Sequence, residues 1–199
     1  MIGFAQKLII CLLSLQIMWL SLRMIVQFSN CKYDTFLACV SFLAMGTLVA
    51  AFVPVPFFEH PLFWIFWVTG FSCLLTLVNR SFYRSTHDFV KKKNIFNKIP
   101  FLGFLVGIFL SQKKLSPVVF FILPAIIFLF FFVKRRDYFF PYRSIGGFLG
   151  GLFVLFLISS MQKSYLLILQ VPLVFFIVNQ GYAFLHFFLL QSYLAKKVS

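Results

Sequence analysis

Apolar residues run along this chain in seven stretches separated by short polar gaps: residues 8–28, 35–57, 61–79, 95–112, 116–133, 144–161 and 165–194. A bilayer-crossing helix needs about 20 mostly apolar residues, and backbone in hydrocarbon must satisfy its own hydrogen bonds. The pattern predicts an all-α, polytopic transmembrane helix bundle of about seven spans, forming a single integral membrane domain over residues 1–199. The fourth stretch is the weakest, because Asn97 and Lys98 shorten its apolar core. The seventh is too long for an upright helix: its residues at about 1.5 Å each give roughly 45 Å. It is expected to tilt, protrude or break, and Asn179-Gln180-Gly181 is the candidate break. Lys7 precedes the first stretch, and no small-x-small cleavage site follows it, so that stretch reads as an uncleaved span rather than a signal peptide.

Proline and glycine refine the picture. Pro54 and Pro56 sit near the end of the second span, Pro61 opens the third, and Pro124 is expected to kink the fifth. Gly103 and Gly107 form a GxxxG pattern in the fourth span, and Gly146, Gly147, Gly150 and Gly151 form two overlapping ones in the sixth. Small residues at this spacing let helix backbones approach closely, which is how helices associate in lipid.

Composition agrees with a membrane chain. Hydrophobic residues make up 62% and mean hydropathy is +0.99, against roughly half apolar in soluble domains. The net charge of +14 would point to nucleic acid in a soluble protein. In a membrane protein it reads as basic loops held on the cytoplasmic side, and no nucleic-acid partner is expected. Charge also sets a direction. On seven spans, Arg23, Lys32, Arg80, Arg84, Lys91, Lys92, Lys93, Lys98, Lys134, Arg135, Arg136, Arg143, Lys196 and Lys197 fall on one side, fourteen against Lys7, Lys113, Lys114 and Lys163. This predicts an outside amino terminus and a cytoplasmic carboxyl terminus, most simply in a bacterial cytoplasmic membrane. The Lys196-Lys197-Val198-Ser199 ending, which resembles a dilysine retrieval signal, makes the endoplasmic reticulum the alternative. The expected partners are a bilayer with anionic headgroups, met by Lys91, Lys92, Lys93, Lys134, Arg135 and Arg136, and other membrane subunits. One long loop is predicted, over residues 80–100, either lying in the interface or extending the neighbouring helix.

Chemistry-bearing motifs are sparse. Cys11, Cys31, Cys39 and Cys73 form no CxxC pair. The four acids, Asp34, Glu59, Asp88 and Asp137, are scattered, so no metal or cofactor is expected. Glu59-His60 reads as a polar turn. His87-Asp88 is an unsupported catalytic pair, because neighbours on a helix point about 100° apart. No enzyme is favoured.

Three polar stripes stand out. Gln16, Arg23 and Gln27 follow one face of the first span. Thr69, Ser72, Cys73, Thr76 and Arg80, with Asn79 beside them, follow one face of the third, and Asn179, Ala183, His186 and Tyr193 one face of the seventh. Polar groups in lipid are costly unless they pair or meet water. The stripes therefore predict a cytoplasm-facing polar cavity whose ligand-binding residues are Arg23, Thr76, Asn79, Asn179 and His186. The competing expectation is plain hydrogen-bonded glue between helices. Three functions fit: a transport or solute-binding subunit, a non-catalytic sensor or assembly partner, and a membrane-embedded lipid-modifying transferase. Topology does not choose among them.

Overall fold

The computed structural model describes residues 2–53, 60–83, 89–112, 139–161 and 167–198, with three isolated positions, 122, 125 and 126. Among them lie six helices and no strand: α1 (Ile2–Gln27), α2 (Lys32–Phe52), α3 (Pro61–Tyr83), α4 (Phe89–Ser111), α5 (Phe139–Met161) and α6 (Leu167–Val198). A single 3-10 turn, Ser29–Cys31, joins α1 to α2. Five of these helices are long and apolar enough to cross a membrane, while α4 has a shorter apolar stretch, Asn97–Ser111. The chain is thus an all-helical integral membrane protein. Of the predicted fifth span only Ile122, Ala125 and Ile126 are described, and Pro124 lies outside the described residues.

Proline sets two of the boundaries. A residue before proline is pushed to extended backbone, and Val53, ahead of Pro54, has φ −76° and ψ 130°. The second helix therefore stops at Phe52, short of the predicted 57. Pro61 begins α3, where its missing N–H costs nothing. Pro100 behaves differently: it sits inside α4 without ending it.

Two expectations need correction. The long loop over residues 80–100 shrinks, because α3 continues to Tyr83 and α4 starts at Phe89. And α6 runs unbroken through Asn179-Gln180-Gly181. The Asn179 amide there donates to the Phe175 carbonyl of its own helix at 2.8 Å. Gly181 serves packing: a Cβ would come 3.1 Å from Met45 Sδ and 3.4 Å from Phe148. Close approach, not a break, explains that glycine. The helix is roughly 48 Å long at about 1.5 Å per residue, so it extends past the hydrocarbon and carries Lys196 and Lys197 in its last turn.

Helix α2 lies at the centre and touches α1, α3, α5 and α6. Its small residues allow this. A Cβ on Gly46 would overlap Ile17 of α1, and Ala44 packs against Gly70 of α3. Ser41 Oγ lies 2.7 Å from Leu37 O in its own helix and 3.1 Å from Gly70 O in α3. The core around it includes Phe42, Leu48, Leu77, Phe148, Phe184 and Phe188.

The glycine patterns are used selectively. Gly103 of α4 abuts Ser72 and Val68 of α3, and Gly107 abuts Ile65. Gly147 and Gly151 of α5 face Gln180 and Ile177 of α6. The second pattern on α5, Gly146 and Gly150, meets nothing within 4 Å among the described residues. These contacts also fix directions: α4 runs antiparallel to α3, and α5 antiparallel to α6.

Candidate functional site

The end of the bundle where α1 stops, α2 starts and α6 finishes holds the most polar architecture among the described residues. The sequence Phe28-Ser29-Asn30-Cys31 makes the reversal. The buried Phe28 ring anchors it against His186, with centroids 5.1 Å apart, and against Tyr193, 6.2 Å away. The Phe28 carbonyl accepts from Cys31 N at 2.8 Å and from Thr35 Oγ1 at 3.0 Å. One carbonyl thus closes the 3-10 turn and ties it to the first turns of α2.

Beneath the turn lies a buried ion pair. Arg80 Nε, near the end of α3, donates to Asp34 Oδ1 at 2.8 Å, with side chains 6% and 1% exposed. Arg80 Nη1 donates to Asn97 Oδ1 of α4 at 3.1 Å. The Tyr33 ring covers the guanidinium at 4.7 Å, a cation–π contact that suits a planar, weakly hydrated cation. Asp34 is the third residue of α2, where the helix dipole favours an anion. Three helices are pinned by one cation, and one of the pinned residues, Asp34, lines a cavity.

That cavity holds about 480 Å³ and is lined by Ser29, Asn30, Cys31, Lys32, Tyr33, Asp34 and Lys196. Lys196 reaches it from the last turn of α6, donating to the Asn30 carbonyl at 2.6 Å. Lys32 is exposed at the start of α2. Arg80 answers the charge of Asp34, so two ammonium groups set the sign of the space. Polar groups available to a ligand include the hydroxyls of Ser29 and Tyr33.

The predicted ligand set divides. Arg23 of α1 lies within electrostatic range of Tyr182 and His186 of α6. His186 Nε2 donates to Gln27 Oε1 at 3.1 Å, and the Tyr182 and His186 rings lie 5.5 Å apart. Tyr182 Oη is buried here without a partner among the described residues. This makes a polar seam between α1 and α6. Thr76 and Asn79 belong to α3 and bond inside it, to Ser72 O at 2.8 Å and Leu75 O at 2.9 Å. Asn179 is exposed and bonded within α6. Lys91, Lys92 and Lys93 fall in the first turns of α4. Lys134, Arg135, Arg136, Glu59, His87 and Asp88 lie outside the described residues. Among the described residues no three His, Cys, Asp or Glu side chains gather in a metal-binding group.

Sequence reasoning missed the joint role of Lys32, Tyr33, Asp34, Arg80 and Lys196. A usable signal existed. Asp34 and Arg80 both fall at the cytoplasmic end of the predicted spans, and a lone acid at the depth of a lone arginine is a candidate partner for it. Comparison with protein-family models, with curated proteins and with solved structures finds no match to this chain.

Proposed function

We propose that this is a multi-pass membrane subunit that binds an anionic solute or headgroup at the cytoplasmic end of its bundle, within a transport or solute-handling role. The observation that carries the reading is the cavity of about 480 Å³ lined by Lys32, Lys196 and Asp34, the acid that Arg80 pairs. Its size falls in the usual range for small-ligand sites, roughly 300–1,000 Å³. Asp34 is answered by Arg80, so the two lysines give the cavity net positive charge. The seam of Arg23, Gln27, Tyr182 and His186 extends the polar surface inward, His186 being about 15 Å along α6 from Lys196. That arrangement favours a solute-handling subunit over a purely structural one.

The orientation belongs to the same proposal. Arg23, Lys32, Arg80, Lys98, Arg143, Lys196 and Lys197 gather toward one end of the described helices, and Lys7 lies at the other. Basic residues resist translocation, so the cavity end is the cytoplasmic one. The described ends of α4 and α5 lie at opposite ends of the bundle, which is what a crossing by residues 116–133 requires. That supports seven spans, with the amino terminus outside.

The test is binding of inorganic phosphate and of glycerol phosphate to detergent-purified protein, read by thermal stabilisation. Each lysine near an anionic group is worth about 1 kcal/mol, so Lys32→Gln and Lys196→Gln should each weaken binding about fivefold. Stabilisation unchanged in the double variant sinks the proposal.

A further inference from the structure

A second cavity lies at the opposite end of the bundle from the Arg80–Asp34 pair. It holds about 610 Å³ between α2, α3 and α4. Val40 and Ala50 contribute one wall, Ile65 and Phe66 another, and Phe104 the third. Among the described lining residues the hydroxyls are those of Thr47 and Thr69. Both are engaged by their own helices, donating to Ala44 O at 2.8 Å and Ile65 O at 2.6 Å. Apart from His60 at the mouth, a polar solute would find no unengaged side-chain donor among the described lining residues. Leu62 and Phe66, two of its lining residues, are exposed.

Its dimensions match one class of occupant. The lining runs along α2 from Val40 to Ala50 and along α3 from Leu62 to Thr69. The α2 wall is thus about 15 Å long at about 1.5 Å per residue, half of the roughly 30 Å hydrocarbon core. The cleft starts where α3 starts and ends near mid-depth, so its reach is that of one leaflet. At the α3 start sits exposed His60, whose Nδ1 accepts the Leu62 N–H at 3.4 Å. In the neutral ring this leaves Nε2–H as a donor. A dry groove one leaflet deep with a hydrogen-bond donor at its mouth suits an amphiphile.

We propose that this cleft is a binding site for one acyl chain of a membrane phospholipid, the chain lying between α2, α3 and α4 and the headgroup resting beside His60. The site is independent of the anion cavity in position, polarity and ligand.

The experiment uses the full chain in liposomes of unlabelled phospholipid, doped with a phospholipid carrying a diazirine midway along one acyl chain. After irradiation, peptide mass spectrometry maps the adducts. The expected result is labelling at Ile65, Phe66 and Phe104 that exceeds labelling at the exposed Trp19 and Val26 of α1 by about tenfold, a difference that marks specific occupancy over general lipid contact. Thr47→Phe, which fills the cleft from an exposed position, should abolish that excess and leave α1 labelling unchanged. Ala50→Leu serves the same purpose should Thr47→Phe fail to fold. Cleft labelling no denser than that of α1 overturns the proposal. So does a cleft protected from the probe by residues 113–138 or by a second copy of the chain.

Discussion

Removing the Asp34 carboxylate should destabilise the bundle more than any other single side-chain truncation at its polar end. In Asp34→Ala the Arg80 guanidinium keeps Asn97 Oδ1 and the Tyr33 face but loses the carboxylate at 2.8 Å. Breaking a buried pair from one side typically costs about 3–5 kcal/mol. Arg80→Ala should cost less by about 1 kcal/mol, because the carboxylate left behind sits in the first turn of α2, where the helix dipole supports it. Replacing both partners by apolar residues, as in Asp34→Leu with Arg80→Met, should recover most of the loss, since a buried pair and a packed apolar substitute are often equal to within about 1–4 kcal/mol. The assay is reversible unfolding in mixed micelles with increasing denaturing detergent. It can be followed through the fluorescence of Trp64 and Trp67, both buried on α3. The reasoning fails if Asp34→Ala unfolds within about 1 kcal/mol of the parent, or if the apolar double variant is no better than Asp34→Ala alone.

The two kinds of glycine should separate cleanly in the same assay. Gly103→Leu would drive a side chain into Ser72 and Val68 of α3 and should cost about 1–3 kcal/mol or more. Gly150→Ala meets nothing within 4 Å among the described residues and should stay within about 0.5 kcal/mol of the parent; equal losses at both positions would refute the packing described. Topology can be read from single cysteines at Asn30, His60 and Lys197 in a chain whose own cysteines are replaced. Asn30 and Lys197 should label from the cytoplasmic side and His60 from the other, and labelling of Asn30 and Lys197 from opposite sides would overturn the orientation.

Much of the helical framework was legible because lipid imposes one rule on sequence: a long apolar run is a helix. The starts and stops that depend on local chemistry were legible too where proline set them, as at Pro61. What escaped reading was pairing between helices. Asp34 looked like one of a few scattered acids and Asn97 like an interruption of the fourth apolar run. Both make sense only once Arg80 lies between them. The same limit explains the glycines: Gly146 and Gly147 have identical spacing partners, and only the neighbouring α6 distinguishes the packed pattern from the open one. Asn179-Gln180-Gly181 carried a break signal by composition. The amide bond to Phe175 O and the contact of Gly181 with Met45 and Phe148 show how a helix absorbs those residues instead. Of the polar stripes, periodicity put Arg23 on one face of the first span and His186 on one face of the last, while Thr76 and Asn79 bond along their own helix. Period reveals which residues share a face but not what stands opposite.

The central claim is that the cavity beside Lys32 and Lys196 holds a phosphate-bearing anion. The most direct measurement places a photo-crosslinking amino acid at Ser29, which lines that cavity, and irradiates the protein in membranes of anionic phospholipid and, separately, in neutral membranes supplied with glycerol phosphate. The account predicts a phosphate-bearing adduct at Ser29 in at least one of the two conditions, diminished by Lys32→Gln together with Lys196→Gln. Adduct in the first condition alone identifies a lipid headgroup, and in the second a free solute. Crosslinks at Ser29 to acyl chains or to peptide only, with no phosphate-bearing adduct in either condition, would contradict the account.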